Sequence, residues 1–165
     1  MSRLIGDAAA IDLLDKHDHI IRQELATYQG REVKHTGDGV MASFKEVTKA
    51  IQCAIAIQKA FRKFNEQKPV KPLHVRIGIN AGEPVARGDD LFGMTVQLAA
   101  RVCNHCSAEE ILVSGIVREF CVEKMPDVAF VDAGKGHFKG FEHAIQLYKV
   151  SSLPPKTDDK VTPSA

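Results

Sequence analysis

Hydrophobic residues recur three and four positions apart in two long segments of the chain, which is the spacing of one face of an α-helix. The segments run from Gly6 to Thr27 and from Glu46 to Phe64. Between them, residues 31–44 alternate apolar and polar side chains on either side of a Gly-Asp-Gly sequence centred on Asp38. Asp-Gly favours a tight turn because both residues tolerate a positive φ. The pattern therefore predicts a helix, a β-hairpin and a second helix.

The second half of the chain has shorter periodic segments separated by glycine, proline and polar residues. The predicted strands are His74 to Asn80, Val85 to Arg87, Ile111 to Ser114, Val128 to Asp132 and Ile145 to Val150; the predicted helices are Met94 to Cys106 and Gly115 to Phe120; and Gly134 to Gly140 is predicted to be a turn. After residue 150 the composition shifts to Ser, Pro, Thr, Lys and Asp. We expect residues 1–150 to form one domain and residues 151–165 to be a disordered tail.

The order helix, two strands, helix, strand indicates an α/β (α+β) fold. It matches a ferredoxin-like βαββαβ core without its first strand, followed by a C-terminal β extension. Residues 1–5 are too few to replace that strand, which lies in the middle of the sheet in this fold. We therefore expect two strand edges whose backbone groups need another partner.

Composition narrows the classes of partner. The chain has 165 residues, of which 44% are hydrophobic and 26% charged, and its net charge is +1. Without a basic run, nucleic acid and anionic membranes are not expected partners. The sequence contains no apolar stretch of about 20 residues and no signal-peptide core, so we place the protein in the cytoplasm.

Four cysteines agree with a reducing compartment. Cys103 and Cys106 have the spacing of half a zinc site, with His105 between them. Because no second pair at ligand spacing follows, packing within a helix is favoured over metal binding or redox chemistry.

Asp38 lies at the apex of the predicted hairpin, where its carboxylate either binds a cation or simply serves the turn. Five further polar residues have positions suited to chemistry, although each by itself is better explained as a solvated surface group or a member of a local ion pair. Gln97 and Arg101, four residues apart, share one helix face. The five residues are Lys34, Asp90, Gln97, Arg101 and Lys139.

Five segments together resemble the successive motifs of the class III nucleotidyl (adenylate/guanylate) cyclase catalytic domain. The resemblance extends from Leu4 to Val150, and both the order and the spacing of the motifs agree. Five motifs in register form a specific signal, although each alone is weak. The segments are Glu32 to Gly39, Val75 to Glu83, Asp90 to Arg101, Ile111 to Ser114 and Phe138 to Phe141.

The resemblance implies a homodimer that converts a nucleoside triphosphate into a 3′,5′-cyclic monophosphate and pyrophosphate between its subunits. It assigns Asp38 to a Mg²⁺ or Mn²⁺ ion, Lys34 and Asp90 to the base, Arg101 to the phosphate in the transition state, and Lys139 to the triphosphate. In the family, a first metal-binding Asp belongs to the first strand. The resemblance therefore implies that the two-metal site is incomplete in this chain.

The hydrogen-bonding groups of Lys34 and Asp90 suit one purine base better than the other. Adenine offers an acceptor at N1 and a donor at N6, which suit a Lys donor and an Asp acceptor, whereas guanine offers the reverse. Lys34 and Asp90 therefore favour ATP.

Gln97 stands where the family usually has Asn. Its extra methylene moves the amide by about 1.5 Å, and a misplacement of this size costs on the order of a hundredfold in rate. Two hypotheses follow. The chain is either an ATP-specific cyclase of weak activity, or a catalytically silent dimerisation or regulatory module that keeps remnants of a nucleotide site.

Overall fold

A computed structural model describes residues 2–36, 39–69, 71–82 and 93–152, with the side chains of residues 2–10 and 36 excepted. The chain divides into two compact units, Met1–Arg76 and Ile77–Ala165. Among the helices in these described ranges, none is both long enough and apolar enough to cross a membrane.

The first unit contains two helices and a hairpin: α1 (Ser2–Thr27), β1 (Arg31–Thr36), β2 (Gly39–Ser43) and α2 (Val47–Glu66). The predicted order is confirmed. The buried face of α2 includes Ile51, Ala54 and Phe61, as its spacing predicted. Helix α1 is more exposed than its pattern suggested, since Leu14 is 40% exposed and Ile11 is 62% exposed.

The hairpin strands pair antiparallel, with Glu32 opposite Ala42 and Lys34 opposite Met41. Val33 has no opposite residue, so a bulge interrupts the register between Glu32 and Lys34. A bulge breaks the strict period of two. Strand β2 has no bulge, and all five of its residues are half-buried.

The second unit contains β3 (Ile77–Ile79), α3 (Met94–His105), β4 (Ile111–Ser114), α4 (Gly115–Cys121), β5 (Val128–Gly136) and β6 (Ile145–Ser152). The four strands within the described part of this unit form one sheet in the order β3-β4-β6-β5. Strand β3 is parallel to β4, and β6 is antiparallel to both β4 and β5. The hairpin forms a separate two-stranded sheet.

Several predicted boundaries are wrong. Helix α1 begins at Ser2 rather than Gly6, and β6 ends at Ser152 rather than Val150. The strand predicted over His74 to Asn80 is regular only at Ile77–Ile79. Strand β5 continues to Gly136 through the start of the predicted turn, because a bulge after Asp132 lets Lys135 and Gly136 pair again with β6. Residues 151 and 152, predicted to begin the tail, instead pair with β5 as the end of β6. The segment predicted as a strand at residues 85–87 and the rest of the predicted tail, residues 153–165, lie outside the described residues.

An apolar cluster joins α3 to the sheet in the second unit. Phe138, Phe141 and Ile145 pack against its edge. Helix α3 and the segment between β5 and β6 therefore share one support. The cluster consists of Leu98, Val102, Cys106, Leu112 and Leu147.

Candidate functional site

Helix α3 presents Gln97 and Arg101 on its exposed face, while Leu98 and Val102 on its other face are buried in the apolar cluster. The shared face predicted from their spacing follows from the helix that the structure shows. Val102 is fully buried beside Arg101, so packing in the core determines which face of the helix Arg101 occupies.

Lys139 lies in the turn after β5 and is exposed. Phe138 beside it packs against the apolar cluster and meets the His105 ring edge to face at 5.6 Å between centroids. Gly140 follows with a φ of 93°, a conformation that glycine adopts without strain. The turn carrying Lys139 is thus anchored to the same core as the helix carrying Arg101.

Lys34 lies on β1 and is exposed. Two contacts to α1 flank it. Arg22 Nε donates to Glu32 Oε1 at 2.9 Å, and His35 Nε2 bonds to Asp18 Oδ2 at 3.0 Å. Both ends of the segment around Lys34 are therefore attached to one helix.

Asp18 is 9% exposed, which is unusual for a carboxylate. His17 Nδ1 bonds to its other oxygen at 3.0 Å. Burial alone would raise the pKa of Asp18, but the hydrogen bonds from His17 and His35 lower it on balance below its ordinary value of 3.8. The carboxylate thus remains charged while it joins α1 to β1.

The structure brings three of the six predicted site residues onto one unit. Gln97, Arg101 and Lys139 belong to elements around the apolar cluster, whereas Lys34 belongs to the first unit. Asp38 and Asp90 lie outside the described residues. Their roles in metal binding and base recognition stay predictions.

Sequence reasoning missed a hydrogen-bonded group at the carboxyl end of β3. Ser114 Oγ donates to Asn80 Oδ1 at 2.6 Å, and Asn80 Nδ2 donates to the Thr95 carbonyl at 3.0 Å. A signal was available, because polar residues at the carboxyl ends of two parallel strands meet at one sheet edge. Asp18 was missed as well, although it occupies an otherwise apolar position between Leu14 and Ile21.

Cys106 is buried, and its thiol donates to backbone carbonyls, including that of Ile77. Burial raises its pKa to about 11. A thiol held in this way is a poor nucleophile and a poor metal ligand near neutral pH. For Cys106, which lies at the C-cap of α3, these contacts agree with the packing role favoured for the pair.

In the part of the chain that the structure describes, no three His, Cys, Asp or Glu side chains lie close enough together to hold a metal ion. The predicted Mg²⁺ or Mn²⁺ site depends on Asp38, outside those ranges. A carboxylate is the type of ligand that these ions prefer.

Comparison with known proteins identifies relatives of this chain. Residues 5–152 match the adenylate and guanylate cyclase catalytic domain. A putative adenylate cyclase 3 from Rhizobium meliloti is 30% identical over 137 residues, which cover 82% of this chain and 23% of that protein. The chain thus spans about a quarter of that curated relative.

Two solved structures share the fold. The adenylate/guanylate cyclase/hydrolase from Silicibacter pomeroyi has a TM-score of 0.77 and 30% identity, covering 93% of this chain and 90% of that one. The adenylyl cyclase CyaB from P. aeruginosa has a TM-score of 0.71 and 25% identity, covering 89% and 84%. The α+β cyclase fold expected from the sequence is confirmed, and the chain belongs to the adenylate and guanylate cyclase catalytic domain family.

Proposed function

We propose that this chain is an ATP-specific cyclase domain that forms 3′,5′-cyclic AMP and pyrophosphate at a site shared by two copies of the chain. The observation that carries the proposal is the common support of Arg101 and Lys139. Both cations are exposed, and their elements pack on one apolar cluster. Cations on a rigid support suit a substrate with a triphosphate, because they need little reorganisation when charge develops.

In the proposed reaction the ribose 3′-oxygen attacks the α-phosphorus. The bond from that phosphorus to the bridging oxygen breaks, pyrophosphate leaves, and the hydroxyl proton passes to solvent. Arg101 donates hydrogen bonds to the phosphate oxygens as their charge grows, and Lys139 holds the terminal phosphates. Asp38 would supply a carboxylate to a Mg²⁺ or Mn²⁺ ion, which when bound would neutralise phosphate charge.

The base preference rests on Lys34, an exposed donor on β1. Donation to adenine N1 is possible, whereas N1 of guanine carries a proton. We expect Lys34→Glu to lower kcat/KM for ATP relative to GTP by at least tenfold, measured by direct competition of the two nucleotides. An unchanged ratio would contradict the assignment of Lys34 to the base.

Mixing two inactive variants tests both the reaction and the shared site. Arg101→Ala and Asp38→Ala are each expected to lower cyclic AMP formation at least a hundredfold. If one copy supplies Asp38 and the other Arg101, the mixture regains activity, since one of the two sites in a mixed dimer is intact. Arg62→Ala, which removes an exposed cation from α2, is the matched control and keeps full activity.

Three outcomes contradict parts of the proposal. Wild-type protein that forms no cyclic nucleotide with either metal contradicts the activity. Full activity of Arg101→Ala contradicts its role. Two variants that are inactive separately and remain inactive when mixed contradict the shared site.

Gln97 supports a second candidate, the catalytically silent dimerisation or regulatory module, because its amide lies one methylene beyond the position that the family's usual Asn would give it. Gln97→Asn distinguishes the two. If Gln97→Asn raises kcat tenfold or more, the chain is a weakly active enzyme in which the Gln97 amide is displaced. Nucleotide binding without product in both proteins supports the silent module.

A further inference from the structure

Asn80 directly follows β3 and lies beside the end of the parallel strand β4. The register that places Ile79 opposite Val113 brings Asn80 next to Ser114. Ser114 is 2% exposed, and its hydroxyl donates to Asn80 Oδ1 at 2.6 Å. The buried hydroxyl thus has its partner on the neighbouring strand, and the bond restricts the Asn80 side chain.

The nitrogen of the Asn80 amide bonds to a different element. Nδ2 donates to the carbonyl of Thr95, in the first turn of α3, at 3.0 Å. In an α-helix the carbonyl oxygen of one residue also accepts a hydrogen bond from the N–H four residues later. Asn80 Nδ2 therefore bonds to the second lone pair of the Thr95 carbonyl oxygen. Gly93 at the N-cap has no side chain to cap the helix. Asn80 therefore attaches the start of α3 from outside the helix.

The direction of the amide follows from its two partners. If it were reversed, Oδ1 would face the Thr95 carbonyl, and two acceptors would meet without a proton between them. The observed direction satisfies every group, because Ser114 donates to the oxygen and the nitrogen donates to Thr95. No other side chain of similar size carries an acceptor and a donor in this arrangement without charge.

A second contact between β3 and α3 lies farther along the helix. A Cβ atom added to Gly78 would be 2.3 Å from the backbone nitrogen of Cys103. Gly78 therefore lets the helix rest directly on the strand. Arg101 lies between the two attachment points at Thr95 and Cys103, and Gln97 lies just beyond the first. Together the contacts set both the position of α3 along the strand and its rotation.

We propose that Asn80 is a positioning residue, whose bond to Thr95 sets the rotation of α3 and thereby aims Gln97 and Arg101 at the substrate. This inference rests on the proposed function for the role of Arg101. A small rotation of the first turn moves a long exposed side chain by about 1 Å, which is enough to lower the rate on the order of a hundredfold.

Asn80→Asp isolates the bond to the helix. A carboxylate still accepts from Ser114, but it has no proton for Thr95 and faces that carbonyl with a negative oxygen. We expect kcat for ATP to fall ten- to a hundredfold while KM changes less than threefold, because binding through the phosphates is retained. Amide hydrogen exchange at residues 95–101 is expected to rise at least tenfold.

Asn65 provides a matched control in the first unit. Its amide donates to the Leu73 carbonyl at 2.8 Å and accepts from the Leu73 N–H at 2.9 Å, so Asn65→Asp loses one donor in the same way. It is expected to leave kcat and exchange in α3 unchanged. Ser114→Ala, which removes only the donor that orients the amide, is expected to lower kcat about threefold and serves if Asn80→Asp does not fold.

The outcomes separate this inference from the proposed function. If wild-type protein forms no cyclic nucleotide, the proposed function fails, and the exchange comparison alone decides whether Asn80 holds the helix. If Asn80→Asp matches Asn65→Asp in both kcat and exchange, Asn80 contributes only to stability and the inference is overturned. A loss in kcat without a change in exchange also overturns it, since the helix has then not moved.

Discussion

Strand β1, which carries Lys34, is joined to α1 through the carboxylates of Glu32 and Asp18, whereas helix α3, which carries Arg101, is joined to β3 and the residue after it by a glycine contact and a neutral hydrogen bond. On β1 the contacts are Arg22 to Glu32 and Asp18 to His35. On α3 they are Gly78 against Cys103 and Asn80 to Thr95.

These two kinds of contact are expected to hold Lys34 and Arg101 in place in different ways. Contacts between ionised groups depend on pH and, where exposed, on salt. Close backbone packing depends on neither, and it fails only when atoms are added or removed. The position of Arg101 is therefore expected to be insensitive to solution conditions, and the position of Lys34 to respond to them.

The largest effect on stability is expected from adding a side-chain atom at Gly78, where β3 touches α3. Gly78→Ala places a Cβ 2.3 Å from the Cys103 nitrogen and 2.5 Å from its Cα, and backbone atoms cannot move aside as a flexible side chain would. We expect the free energy of unfolding to fall by about 3 kcal/mol in denaturant titration.

Gly115→Ala is the control for that substitution. The nearest atom to its added Cβ lies at 3.6 Å, which is ordinary contact, and Gly115 begins α4. It is expected to be neutral or slightly stabilising. Equal stabilities of the two variants would show that β3 and α3 are not packed as closely as the structure has them.

The next largest effect on stability is expected at Asp18, whose carboxylate joins α1 to β1. Asp18→Ala leaves His17 and His35 without their acceptor, and loss of a partner for such groups costs about 1–3 kcal/mol. We expect that decrease in the free energy of unfolding, with faster hydrogen exchange at the amides of β1. Asp15→Ala, which removes an exposed carboxylate from the same helix, is expected to change little.

The contribution of Asp18 is also expected to depend on pH. Its pKa is lowered in the folded protein, so its carboxylate stabilises the fold above the ordinary value of 3.8 and loses that effect as pH falls through the lowered value. The stability difference between wild type and Asp18→Ala should therefore shrink below about pH 4. Asn80 and Ser114 do not titrate there, so the difference for Asn80→Ala should not shrink.

The smallest effect is expected from Glu32→Gln, because Arg22 and Glu32 are both substantially exposed. Exposed ion pairs contribute little and are screened by salt. A slight destabilisation at low salt should disappear in about 1 M NaCl, where the Debye length is about 3 Å. If it persisted in high salt, the packing of the Glu32 stem rather than its charge would matter.

Much of the fold and part of the site could be predicted from the sequence. The two long helices, the hairpin and the order of the later elements follow from periodicity, which each segment carries by itself. The pairing of Gln97 and Arg101 on one face also follows from local helix geometry. Strand ends were less predictable, because the bulges at Val33 and after Asp132 come from pairing with another strand.

The sequence by itself determined most of the elements and the family motifs, and it led to the residues proposed to bind a nucleotide, because these depend on spacing along the chain. Only the tertiary structure decided which partners hold them. Asp18 meets His35 across 17 residues, and Ser114 meets Asn80 across 34. Such contacts arise from packing of distant segments, so no local pattern specifies them.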